Sequence, residues 1–249
     1  MISRILFRDR PREDLFTRRG PETSRIEGFS DAAFGFAITL LVVSLEVPRS
    51  SAELLRVLQG FAGFAITFGI LFSLWKAQFT FFRRYGLEDG TTINLTGVFL
   101  FLVMFSVYPL KFLISGIVDV FLGRPDATFV AKLDAAWLFF AYGLGFSGIF
   151  ATLALMYGHA YRLRERLGLS PLEVFETVQS IRRYAVQALS AILLLSFPVI
   201  FSLPYATRQN VAMPLFTATA LAVALAGRRY RVRARKQRAE LAAAVAHPV

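Results

Sequence analysis

Residues 25–48, RIEGFSDAAFGFAITLLVVSLEVP, decide the fold. Ser24 followed three residues later by Glu27 is a capping box, which supplies side-chain partners for the unpaired N–H groups of a helix's first turn. From Gly28 to Leu45 the only charge is Asp31. The run is long enough to cross a hydrocarbon core of about 30 Å at about 1.5 Å per residue. The stretch predicts a membrane helix with a polar foot. Helical periodicity puts Arg25, Phe29, Ala32, Phe36, Leu40, Val43 and Val47 on one narrow stripe, because they repeat at spacings of three and four. Ser30 and Asp31 fall on two other faces, where they meet neighbouring helices or water at the membrane edge. Periodicity by itself favours a plain reading, an apolar helix capped by its polar foot.

The rest of the chain repeats the theme. Apolar residues make up 55% and charged residues 18% of the 249, and the apolar ones come in blocks. Further spans are predicted over 61–82, 92–117, 133–157, 184–203 and 210–226, with 49–54 as a short loop. Pro109 removes a backbone donor from the third span and predicts a kink there; Pro198 interrupts the fifth. Gly143, Gly145 and Gly148 in the fourth suit close helix packing in lipid. A second capping box, Ser170-Pro171-Leu172-Glu173, opens a helix with Val174, Phe175, Val178 and Ile181 on one side. This helix is expected to lie on the membrane surface before the fifth span.

The predicted fold is therefore all-α: a polytopic membrane protein with six helices in one unit over 25–227. It is flanked by a polar tail, 1–24, and a basic tail, 228–249. The first tail lacks the short apolar core and small-residue end of a secretory signal and reads as staying attached. Most of the 28 lysines and arginines fall before the first span, at Arg83 and Arg84, between 162 and 183, or in the tail from Arg228 onward. That asymmetry predicts both termini in the cytoplasm, and the membrane expected is the plasma membrane. It also assigns the net charge of +11 to anionic membrane lipids rather than to nucleic acid.

Function classes narrow in turn. There is no cysteine, and the only histidines are His159 and His247, so no metal set, nucleophile–histidine pair or cofactor is predicted and the chain does not read as an enzyme. A secondary transporter needs a central polar site; Lys76, Lys111, Asp31 and Glu46 all sit near span ends, where long side chains snorkel and short ones cap. A channel needs only a continuous line of side chains around an axis. One stripe on one helix reaches that only if several copies assemble with their first helices at the centre.

Arg25-x-x-x-Phe29-Ser30-Asp31 at the start of a first membrane helix, followed by Ala37-Ile38-Thr39-Leu40-Leu41-Val42-Val43 and Glu46-Val47-Pro48, closely resembles the bacterial relatives of the lysosomal potassium channel transmembrane protein 175. The resemblance implies a homotetramer that passes potassium ions passively, its first helix lining a central pore with an apolar constriction instead of a ring of carbonyls. Carried onto this sequence, the constriction falls at Phe36, Leu40 and Val43, and the selectivity-tuning threonine at Thr39. Arg25, Phe29, Ser30, Asp31 and Trp75 match the polar network of the pore helix. Two departures stand out. Phe36 occupies a position usually held by isoleucine or leucine, and Gln78 and Phe79 replace a histidine pair after Trp75. A non-conducting or differently selective channel of the same architecture, or a transporter, is the alternative.

Overall fold

Long apolar blocks fold as long helices, and five of them organise this computed structural model, which describes residues 16–20, 22–43, 49–121 and 136–192. They are α1 (Arg25–Val43), α2 (Ser51–Tyr85), α3 (Gly90–Phe121), α4 (Ala136–Arg162) and α5 (Pro171–Ile192). No strand occurs among the described residues. Four stretches are long and apolar enough to cross a bilayer: Arg25–Val43, Gly60–Tyr85, Gly90–Gly116 and Phe140–Arg162. The described residues thus form an all-helical, multi-pass membrane protein. Residues 1–15 and 21 of the first tail, Glu46, the end of the fifth predicted span with Pro198, the sixth span and the whole basic tail lie outside the described residues.

Two sequence expectations are corrected here. The loop expected at 49–54 is mostly helix: α2 starts at Ser51, its first turn closed by the Leu54 N–H on the Ser50 carbonyl at 2.9 Å. Its 35 residues extend about 50 Å, well beyond a bilayer core, so the early turns project from the membrane. The expected surface helix does not end before a separate span either. α5 runs unbroken through residues 181–184 and packs along α4, burying Glu173, Thr177, Ser180, Tyr184, Ala188 and Ala191. Val174, Phe175, Val178 and Ile181 are only partly covered. In lipid, small and hydroxylated residues let helices approach, so α5 packs by its small and hydroxylated side and not by the apolar side expected to rest on the membrane surface.

α3 continues as helix through Pro109, whose carbonyl accepts a hydrogen bond from the Tyr142 hydroxyl of α4 at 2.6 Å. The same pair of helices approaches closely at Gly145, where a Cβ would stand 2.8 Å from Ser106 Oγ. α1 lies against α3 and α2, with Phe34 and Phe99 in ring contact between α1 and α3. At the end of the molecule where α2 turns into α3, the buried rings of Phe81, Tyr85, Tyr157 and Tyr184 form one cluster. Gly86 makes that turn at φ +58°, a left-handed conformation that glycine adopts without strain. A Cβ there would also meet the Arg19 carbonyl at 2.7 Å, because the segment before α1 crosses the turn as a strap. Asp89 then caps α3, accepting from the Thr91 and Thr92 N–H groups at 2.9 and 3.1 Å, and it meets His159 Nε2 of α4 at 3.0 Å.

Candidate functional site

α1 has two opposed faces. Ser30, Phe34, Ala37 and Leu41 are buried against α2 and α3, Leu41 completely. On the far side Phe29, Phe36 and Val43 are open, Phe36 by 54% and Val43 by 73%. Arg25, Ala32 and Thr39 are exposed on or beside the same stripe, and Leu40 is half-buried. The Thr39 hydroxyl donates to the Gly35 carbonyl at 2.9 Å, which occupies its proton and leaves the oxygen able only to accept. A row of large apolar side chains on the open side of a helix is unfinished unless lipid or protein covers it.

The foot of α1 is fixed to α2 by three polar contacts within its first two turns. Trp75 Nε1 donates to Asp31 Oδ1 at 2.8 Å. Gln78 Nε2 donates to Ser30 Oγ at 3.2 Å, and Ser30 in turn donates to the Ile26 carbonyl at 2.8 Å. Arg83 NH2 donates to Glu27 Oε1 at 2.6 Å, with Glu27 buried. Trp75 is held within a ladder of rings on α2, Phe61, Phe64, Phe68, Phe72, Trp75 and Phe79, and Arg83 lies 5.3 Å over the last of them. Ser30, Asp31 and Trp75 are thus brought together around the α1–α2 contact. Arg25 stays on the open face. Gln78, standing where a histidine was expected, still bonds α1, and an amide carries no proton equilibrium near neutral pH, so this contact is insensitive to pH.

Sequence reasoning missed Arg83 and the second role of both capping glutamates. The first capping box forms only in part: the Glu27 N–H reaches Ser24 Oγ at 3.2 Å, while its carboxylate goes to Arg83. The second forms in both directions, Glu173 N–H to Ser170 Oγ at 3.3 Å and Ser170 N–H to Glu173 Oε2 at 2.8 Å. Glu173 also accepts from the Thr17 N–H at 2.8 Å and from two nitrogens of Arg19, each at 2.9 Å. Arg19 completes the clamp on the Leu167 and Gly168 carbonyls at 2.8 and 3.1 Å. The strap therefore links the start of α1 to the start of α5.

Burial pushes the Glu173 carboxyl upward, but the hydrogen bonds from Arg19, Ser170 and Thr17 outweigh it and hold its pKa at about 2, below the ordinary 4.5. The folded value lies below the unfolded one, so the clamp's stabilisation is complete above about pH 5 and is lost as pH falls through the folded value. The difference in thermal unfolding midpoint between the wild type and Glu173→Gln should accordingly be full at pH 6 and shrink steadily toward pH 2. A difference that stays constant across that range would refute the clamp.

Taken together, a bundle of apolar spans, a first helix with an open apolar stripe and a polar foot tied to the second helix define a multi-pass membrane protein whose first span leaves one face open. The family profile described as endosomal/lysosomal potassium channel TMEM175 matches residues 25–109, which take in α1, α2 and the first half of α3. A potassium channel of Marivirga tractuosa is 38% identical over 176 residues, covering 67% of this chain and 70% of that protein. A potassium channel of Chamaesiphon minutus is 26% identical over 149 residues, covering 57% of this chain and 65% of that protein. The solved structure of a threonine-to-alanine variant of the potassium channel MtTMEM175, in complex with a nanobody–MBP fusion protein, superposes with a TM-score of 0.74 at 30% identity. It covers 88% of this chain and 97% of that one. The chain belongs to the TMEM175 potassium channel family.

Proposed function

We propose that the protein is a potassium channel of the plasma membrane, passing ions down their gradient through a central pore lined by α1 of four copies. Both termini face the cytoplasm, and 25–227 is the conducting unit. The observation that carries the reading is the two-faced α1: a fully buried side against its own subunit, and an open stripe with Phe36, Leu40 and Val43 in line. Four such stripes facing an axis form an apolar constriction, which admits an ion only when it wets. Thr39, exposed beside that stripe, tunes selectivity by offering lone pairs to a passing cation. The contacts of Ser30 and Asp31 with α2 set the tilt of the pore helix rather than bind ions.

The test is flux from liposomes loaded with potassium or with sodium, against empty liposomes. Potassium flux several-fold above sodium flux is expected. Equal flux of the two ions would overturn the selectivity, and no flux from folded tetramers would favour a non-conducting protein closed at Phe36.

A further inference from the structure

Conduction through α1 leaves a second feature of the bundle unused: a cavity of about 710 Å³ between α2, α4 and α5. α2 contributes Lys76 and Arg84, two helical turns apart on one side; α5 contributes Gln179, Arg183 and Gln187, spaced by four. The floor is apolar, from Phe150 and Leu153 of α4. The Tyr85 hydroxyl and Thr177 Oγ1, 2.7 Å apart, link α2 to α5 beside it. Three cations face one carboxylate, that of Glu176, so the lining is net positive. Lys76 and Arg183 are both exposed. Arg183 is oriented by its bond to the Tyr184 hydroxyl at 2.7 Å and by stacking 4.6 Å over that ring. The side-chain carbonyl oxygens of Gln179 and Gln187 are buried with no hydrogen-bond partner.

Depth selects the ligand. Lys76 lies nine residues inside the end of its span at Tyr85, about 14 Å along the helix, so the cavity runs from the membrane edge into one leaflet. A phosphate near Arg183, reached by a snorkelling Lys76, would have an apolar floor beneath it for an acyl chain. We infer that the α2–α5 cavity is a binding site for an anionic phospholipid, whose phosphate the three cations hold. Basic pockets between membrane helices on the cytoplasmic side hold acidic headgroups by the same physics.

The experiment is native mass spectrometry of the full chain in detergent, titrated with phosphatidylglycerol or with phosphatidylcholine of the same acyl chains. Phosphatidylglycerol should be retained preferentially. Lys76→Gln and Arg183→Gln should each reduce that preference by about fivefold, while Lys76→Arg keeps it. Ser73→Trp, which fills the cavity from an exposed position and leaves every charge in place, should abolish it without lowering the unfolding midpoint. Equal retention of the two lipids, or a preference unchanged in Lys76→Gln/Arg183→Gln, overturns the site. Displacement of the lipid by millimolar inorganic phosphate would also overturn it, in favour of a small-anion pocket.

Discussion

Arg83→Ala is expected to lower the thermal unfolding midpoint of the purified protein by roughly 6 to 12 °C, about 3 kcal/mol for a chain of this size. Arg83 ties several groups together at the foot of α1. It pairs with the buried Glu27 at 2.6 Å, donates to the Gly20 carbonyl at 2.7 Å, reaches Thr23 Oγ1 at 3.2 Å, and lies over the Phe79 ring. Truncating it leaves a carboxylate out of water with its cation gone, and that exposed penalty exceeds the worth of the pair itself. The asymmetry gives the prediction its test. Glu27→Gln, which keeps shape and a hydrogen-bond acceptor, should destabilise by less than half as much as Arg83→Ala. Combining Arg83→Met with Glu27→Leu should recover most of the loss, since no buried charge then remains. Additive losses in the double variant would show that the pair is a solvated surface contact after all.

The sequence made the spans legible because apolar blocks of the required length carry their own signal, and α1, α3 and α4 lie close to where the blocks predict them. α2 and α5 were misread for different reasons. The start of α2 is polar enough to pass for a loop, since hydropathy marks the bilayer and not the helix. α5 buries its small and hydroxylated side against α4, the reverse of the rule for soluble proteins. Among site residues, the stripe from Arg25 to Val43 follows from counting at 3.6 residues per turn. The partners do not. Nothing in the spacing says that Glu27 reaches Arg83, 56 residues away, or that Glu173 reaches Arg19, 154 away. Both glutamates announced themselves only as capping residues, a local role that hid the long-range one. Gln78 was legible as a missing histidine, yet its bond to Ser30 depends on the rotation of α2 against α1, which one sequence does not encode by periodicity.

Phe36→Ala is expected to raise potassium flux by tenfold or more and to move the potassium-to-sodium ratio toward one, with little change in stability. The two halves of that expectation come from the same geometry. Phe36 is more than half exposed in its own subunit, and exposed side chains contribute within about 0.5 kcal/mol when truncated. In the proposed tetramer four phenyl rings meet near the axis, where an apolar ring excludes water and an unhydrated ion does not pass. Removing them widens and wets the constriction, so conductance rises and discrimination falls. Phe36→Ile, which narrows less by ring area and keeps the lining apolar, should raise flux while preserving selectivity. The control is one turn away on the opposite face. Leu41 is fully buried, so Leu41→Ala should destabilise by about 2 to 5 kcal/mol and leave the flux per folded channel unchanged. If Phe36→Ala and Leu41→Ala behaved alike, both losing stability and neither altering flux, α1 would be a packing helix on every side and the pore would have to be sought elsewhere in the bundle.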